Sequence, residues 1–105
     1  MNWFKLYMGD WARDTSALSL AEKGAYMALI QHYYSTEHPL PKEHTALYRI
    51  AGAQTDAERR AVRSVLSFFQ LRDGVYYHRR IDAEIAKASA RAERNRRNAA
   101  GGRDS

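Results

Sequence analysis

The fold of this chain is decided by residues 54–78, which read QTDAERRAVRSVLSFFQLRDGVYYH. Thr55 and Glu58 have the spacing of a capping box, in which the threonine hydroxyl accepts from the amide three residues later and the glutamate reaches back to the threonine amide. A helix is therefore predicted to start after Thr55. The apolar residues beyond it recur at helical spacing and form one stripe: Ala61, Val62, Val65, Leu66 and Phe69.

The opposite face of this predicted helix is basic. The residues that point away from the apolar stripe are Arg59, Arg60, Arg63, Ser64 and Ser67. We expect no acid to share this face. Arginine bonds guanine bidentately in the major groove of DNA and also binds phosphate, so the face is a candidate DNA-reading surface. The alternative is an ordinary solvated helix face, for which charge is the default.

A β-hairpin is predicted directly after the basic helix. Asp73-Gly74 is the dipeptide best able to adopt the positive φ angles of a tight type I′ turn, and residues 69–72 and 75–78 flank it as strands. A basic helix followed at once by a hairpin is typical of a winged helix-turn-helix. The predicted fold class is therefore mainly α with a small β-hairpin: a winged helix-turn-helix followed by a C-terminal helix.

Three further helices are predicted. Ser19 and Glu22 form a second capping box, which opens a helix that is apolar nearly all round and is therefore expected to be the central buried helix. Residues 43–50 form a short helix that pairs with the basic helix as a helix-turn-helix. Residues 80–99 form the last helix, with an apolar stripe that weakens toward its end because alanine buries little area.

Three local expectations concern the N-terminal third. Residues 3–11 contain six large apolar side chains and are predicted to be tucked against the core. Residues 9–18 are predicted to form a loop. Gly24 lies within the central helix, where glycine costs about 1 kcal/mol relative to alanine. A second backbone passing close to Gly24 would explain that cost.

Length and composition favour a small binding module. The chain has 105 residues and no cysteine, and no apolar run approaches the roughly 20 residues that cross a bilayer. There is no signal-peptide pattern at its start and no Gly-rich phosphate loop, and the four histidines have no metal-site spacing. We therefore expect a cytoplasmic, non-enzymatic protein without metal, cofactor or membrane contact.

The positive charge is concentrated rather than spread. The net charge is +5 at pH 7, yet residues 1–78 are nearly neutral, with nine Lys and Arg against eight Asp and Glu. From Arg79 onward there are eight basic residues against four acids. The charge excess therefore lies mainly in the C-terminal segment. We predict a winged-helix domain over residues 1–86 and, where the apolar stripe of the last helix weakens after Ile85, a basic, partly helical tail over residues 87–105.

Four runs of sequence carry a family resemblance: LSLAEKGAYMALI at residues 18–30, LP at 40–41, VLSFF at 65–69 and HRRIDAE at 78–84. Over residues 3–86 the chain resembles the YdaU-like family of phage and prophage proteins. The resemblance implies a winged-helix-like domain that often stands at the N-terminus of longer proteins, encoded beside helicase loaders and acting in replication initiation. Lys42 departs from the family pattern, which more often has an acidic helix cap there.

The predicted DNA-binding residues are Thr55, Arg59, Arg60, Arg63, Ser64, Ser67, Arg72, Arg79 and Arg80. Arg72 at the hairpin tip and Arg79 and Arg80 at its base are expected to meet flanking phosphates. In the alternative interpretation Arg72 only solubilises the hairpin and Arg80 pairs with Glu84 along the last helix.

Two functions follow as hypotheses. The first is binding of double-stranded DNA in replication initiation or transcription control. The second is a protein-interaction module that recruits or inhibits a host factor such as a helicase, polymerase or nuclease. Three roles stay open for the basic tail: gripping nucleic acid, forming a solvated helix, or pairing with a second copy as a homodimer through the C-terminal helix.

Overall fold

Five α-helices and a three-stranded antiparallel sheet make up residues 8–102, the part of the chain that the computed structural model describes. In chain order the elements are α1 (Met8–Thr15), α2 (Leu20–Thr36), β1 (Leu40–Pro41), α3 (His44–Ala51), α4 (Asp56–Val65), β2 (Gln70–Arg72), β3 (Val75–Tyr77) and α5 (Arg79–Gly102), with a 3-10 turn at Leu66–Phe68 between α4 and β2. The predicted class, mainly α with a hairpin, is confirmed. Residues 1–7 and 103–105 lie outside the described part. The prediction that residues 3–11 are tucked against the core falls mostly on residues 3–7 and so lies largely outside the described residues.

Helix α2 is the centre of the molecule, as its sequence predicts. Its capping box forms, with the Glu22 amide donating to Ser19 Oγ at 3.1 Å and the Ser19 amide donating to Glu22 Oε1 at 2.8 Å. Leu29 and Tyr33 are completely buried in its middle. Helices α3, α4 and α5 all pack against α2, so its apolar surface is covered from several sides.

The sheet has the strand order β1-β3-β2, with both pairings antiparallel. Asp73 and Gly74 have φ angles of 51° and 79°, as a type I′ turn requires, so the predicted hairpin is confirmed. Pro39 and Pro41 exclude helix around Leu40. This extended segment forms β1 and completes the three-stranded sheet. Leu40 pairs with Tyr76 across the sheet and is fully buried.

The loop predicted for residues 9–18 is wrong, because Met8–Thr15 forms helix α1. The Trp11 ring stacks on Tyr26 of α2 with ring centroids 5.4 Å apart. The Thr15 hydroxyl, buried at the end of α1, donates to the Trp11 carbonyl at 2.7 Å. Packing on α2 therefore supports this short helix, and no capping motif in the sequence announces it.

The close backbone approach predicted at Gly24 is also wrong. A Cβ atom at this position would meet nothing within 4 Å. Gly24 instead lines an open groove of about 320 Å³ between α2 and the α3–α4 turn. The other small residues along the groove are Ala21, Ala25, Ala51, Gly52 and Ala53.

Helix α5 leaves the body after its first turns. Ile81 is buried and Ile85 is half-buried against the core, whereas residues 89–99 are all exposed. A helix of 24 residues is about 36 Å long at 1.5 Å per residue, which explains why the longest dimension of the molecule is 62 Å.

Candidate nucleic-acid interface

Helix α4 begins where its capping box predicts. The Glu58 amide donates to Thr55 Oγ1 at 3.1 Å, and Glu58 Oε1 accepts from the amides of Gln54 at 2.8 Å and Thr55 at 3.0 Å. These bonds, that from Gln54 first, lower the pKa of the Glu58 carboxyl. Thr55, predicted as a DNA contact, therefore has its side-chain oxygen engaged in fixing the start of α4.

Tyr48 of α3 holds two of the three arginines on the outer face of α4. Arg63 Nη1 donates to Tyr48 Oη at 2.7 Å, and the Arg59 guanidinium carbon lies 5.8 Å from the centroid of the Tyr48 ring, within the range of a cation–π contact. His44, one turn earlier on α3, places its ring 6.1 Å from that of Tyr48. The guanidinium groups of Arg59 and Arg63 are thereby oriented by a neighbouring helix.

Sequence analysis missed Tyr48, although a signal was present. Leu47, on the inner face of α3, is fully buried. Tyr48 is rotated about 100° from Leu47 on a helix, which leaves a large aromatic residue half-buried beside the neighbouring helix. The sequence of α3 does not show which residues lie beside Tyr48. The packing of α3 on α4 shows that they are arginines of α4.

The expected absence of acid from this face is wrong at its N-terminal end. Asp56 Oδ1 lies 3.9 Å from Arg59 Nη1, and the Asp56 side chain is 94% exposed. Exposed ion pairs of this kind contribute about 0–1 kcal/mol because water screens them. Arg59 therefore remains accessible to a stronger anion, and Arg60 and Arg63 are exposed as well.

The two serines of the predicted surface are exposed but already have local partners. Ser67 Oγ donates to the Ser64 carbonyl at 3.2 Å. The pKa of the Glu22 carboxyl on α2 is lowered mainly by the Ser19 amide and hydroxyl, with a smaller contribution from the Ser64 hydroxyl. Ser64 thus points partly toward α2, which makes it a weaker candidate than the arginines.

Arg72 lies on the hairpin beside the turn. Its guanidinium carbon is 4.7 Å from the centroid of the Tyr77 ring on β3, so a cation–π contact orients it along the strand. The side chain is exposed on β2, an edge strand of the sheet. Because α4 runs through the 3-10 turn directly into β2, the arginines of α4 and the hairpin adjoin in the chain.

The base of the hairpin carries the last two predicted residues. Arg79 and Arg80 begin α5 and line an open cleft of about 480 Å³ together with Phe68 and Gln70. Arg80 Nη1 lies 3.6 Å from Asp14 Oδ2 on α1, and both side chains are about half exposed. Glu84, which the alternative interpretation pairs with Arg80, places its Oε1 3.8 Å from Lys87 Nζ on the next turn of α5.

A partly buried polar cluster fixes α5 to the body beneath this cleft. His78 Nδ1 accepts from the Ile81 amide at 3.3 Å and thereby caps α5. Since Nδ1 is an acceptor, the neutral ring carries its proton on Nε2, which donates to Tyr26 Oη at 2.8 Å. Tyr33 Oη accepts from the His78 amide at 3.2 Å and donates to Asp82 Oδ1 at 2.5 Å.

Burial perturbs the titration of this cluster. It lowers the pKa of the His78 imidazole, partly offset by the charge of Asp82. Burial also raises the pKa of Tyr26 to about 12, with the charge of Asp14 adding to the effect, and it raises the pKa of Tyr33 with help from Asp82. Both tyrosines and His78 are thus neutral near pH 7, as buried hydrogen-bonded groups should be.

The described side chains form no metal site. Among residues 11–99 no three His, Cys, Asp or Glu side chains lie closely enough together to hold a metal ion. None of the helices described there is both long and apolar enough to cross a membrane.

Comparison with known proteins gives a family and no solved structure. The model of a family described as "Protein of unknown function (DUF1376)" matches residues 2–86. The chain is 32% identical over 99 residues to "Uncharacterized protein YdaU" of Escherichia coli (strain K12), in an alignment that covers 94% of this chain and 33% of that protein. The chain thus spans about a third of the length of this relative. No solved structure matches. The family match covers most of the chain and agrees with the resemblance to YdaU-like proteins, so this chain belongs to the DUF1376 family.

Proposed function

We propose that this chain is a winged helix-turn-helix module that binds double-stranded DNA. The element order α2-β1-α3-α4-β2-β3 and the antiparallel sheet order β1-β3-β2 support this proposal, in which α3 and α4 are the helix-turn-helix. In such modules the second helix enters the major groove and the hairpin lies against the flanking backbone. Here these elements are α4 and the β2–β3 hairpin.

The observation that carries the proposal is the set of arginines on α4 and their support by Tyr48. Arg59, Arg60 and Arg63 are exposed on one helix, and two of them contact the same aromatic residue. A guanidinium held in place presents its planar fork to a guanine edge or a phosphate with less entropy to lose. In this proposal Arg72, Arg79 and Arg80 contact phosphates that flank the site bound by α4.

The biological setting follows from the family resemblance. We propose that the chain acts in the cytoplasm of a phage-infected or prophage-carrying cell, in replication initiation or transcription control. A replication protein is the proposed protein partner, and no catalytic activity is assigned to the module.

The test is a salt-titrated binding assay with duplex DNA. Neutralising three cations in Arg59/Arg60/Arg63→Ala should weaken binding and lower the slope of log Kd against log salt by up to about 2.7, at about 0.9 per phosphate contact. A control, Arg13/Lys23→Ala, removes two cations from α1 and α2, outside the helix-turn-helix, and should change the slope much less. Equal effects of the two variants would contradict a recognition role for α4.

A second candidate function is protein binding. Leu20 is 89% exposed at the start of α2, next to Ala21 and Gly24 of the groove of small residues. Leu71 is 55% exposed on the hairpin. If the chain ignores duplex DNA at low salt but binds a helicase, polymerase or nuclease, and Leu20→Ser weakens that binding, the second function replaces the first.

A further inference from the structure

Helix α5 carries a mainly basic stripe that begins at Arg80 and extends beyond the DNA-binding surface proposed above. Its stripe advances in alternating steps of four and three residues, which keeps it on one helix face. The members of the stripe are Arg80, Glu84, Lys87, Arg91, Arg94 and Asn98. The line therefore starts at the base of the hairpin and continues for about 27 Å along the helix at 1.5 Å per residue.

The apolar residues of α5 lie on a different face. Ile81 and Ile85 pack on the body, and Ala88 and Ala92 continue their row. At 100° per residue the centre of this row is about 110° away from the centre of the cationic stripe. The body therefore takes up the apolar face in the first half of α5 and leaves Lys87, Arg91 and Arg94 of the stripe exposed to solvent.

The charges of the exposed half are unbalanced. Arg96 and Glu93 pair with each other at 2.6 Å and lie off the stripe. Arg91, Arg94 and Arg97 are exposed cations on or beside it. Neighbouring like charges at helical spacing repel, so an anionic partner would stabilise this segment more than water does.

We infer that the second half of α5 is an additional contact for nucleic acid, with its cationic stripe following the phosphate backbone of the duplex that α4 engages. This inference rests on the proposed function. A second copy of the chain fits this surface less well, because the apolar row beyond Ile85 consists of alanines, which bury little area in a helix pair. A line of separated cations complements a line of separated phosphates.

The experiment compares Arg91/Arg94/Arg97→Ala with Arg91/Arg94/Arg97→Lys, both in the full chain. Alanine and lysine both favour helix, so the two variants differ chiefly in charge. Binding of a labelled 30-base-pair duplex is measured by fluorescence anisotropy across a range of KCl concentrations. The alanine variant should lower the salt slope by about 2–3, for three lost phosphate contacts at about 0.9 each, while the lysine variant keeps the wild-type slope.

Two control results separate this inference from the proposed function. On a short duplex that covers only the α4 contact, the alanine variant and wild type should bind alike. If the alanine variant keeps the full wild-type slope on the long duplex while Arg59/Arg60/Arg63→Ala loses affinity, the α5 contact is refuted and the proposed function stands. If wild type binds neither duplex at low salt, the proposed function itself fails.

Measuring the mass in solution tests the competing role of α5, which is pairing with a second copy of the chain. Light scattering should give the same monomeric mass for wild type and for Arg91/Arg94/Arg97→Ala. A dimer in wild type that dissociates in the alanine variant, together with unchanged DNA affinity per protomer, would overturn the inference in favour of helix pairing.

Discussion

The hydroxyl of Tyr48 should contribute to DNA affinity without touching DNA. In Tyr48→Phe the ring under Arg59 remains, but the acceptor for Arg63 Nη1, now 2.7 Å away, is lost. Arg63 then becomes mobile in the unbound protein and must be ordered on binding. Ordering one long side chain costs about 0.5–1.5 kcal/mol, which corresponds to roughly a two- to tenfold rise in Kd.

The salt dependence distinguishes this positioning role from a lost contact. Tyr48→Phe removes no charge, so the slope of log Kd against log salt should equal that of wild type. Arg63→Ala should raise Kd and also lower the slope by about 0.9. Fluorescence anisotropy with one duplex at several KCl concentrations measures both quantities, and thermal unfolding verifies that each variant is folded.

A double-mutant cycle completes the test. If Tyr48 acts through Arg63, adding Tyr48→Phe to Arg63→Ala should change Kd no further. Two results would refute the reasoning: a single Tyr48→Phe variant that binds as wild type does, or a double variant whose loss is the sum of the two single losses. The first would mean that the hydrogen bond does not orient the guanidinium, and the second that Tyr48 acts independently.

Three further predictions concern stability. The folded-state pKa of His78 is lowered from 6.5. Below about pH 6.5 the unfolded state therefore binds a proton that the folded state does not, and the free energy of unfolding falls with decreasing pH. Urea titrations should show this pH dependence reduced in His78→Asn and retained in His38→Asn. Gly74→Ala, at a φ of 79°, should cost about 1 kcal/mol of unfolding free energy, whereas Gly24→Ala, where a Cβ meets nothing within 4 Å, should stabilise the protein by up to about 1 kcal/mol. Ser19→Ala removes the α2 cap and should lower stability by about 1 kcal/mol, and a Ser16→Ala control should not.

Elements with a local cause were predictable from the sequence. The capping boxes at Ser19 and Thr55 formed because each needs only residues three apart. The hairpin formed because Asp73 and Gly74 accept positive φ angles. In each case the neighbouring residues alone decide the backbone conformation.

Features with a tertiary cause could not be predicted in this way. Helix α1 depends on the stacking of Trp11 against Tyr26, which are fifteen residues apart in the chain. The strand at Leu40 exists because Tyr76 lies opposite. For the same reason the arginines of the candidate site were identified but the residue that orients them, Tyr48, was not. Contact between separate helices leaves no periodic pattern in either one.

The cationic surfaces are not explained by folding. Arg59 and Arg63 are four residues apart on α4, as are Lys87 and Arg91 on α5. Like charges at this spacing destabilise a helix by about 0.2–0.5 kcal/mol per pair, which the exposed ion pairs of Arg59 with Asp56 and Lys87 with Glu84 offset only in part. The core would tolerate polar residues of either sign at these exposed positions, because the apolar faces of both helices already contact α2. Repulsion of this kind is relieved when phosphates lie between the cations. The arrangement therefore favours a polyanionic partner over a role in stabilising the fold.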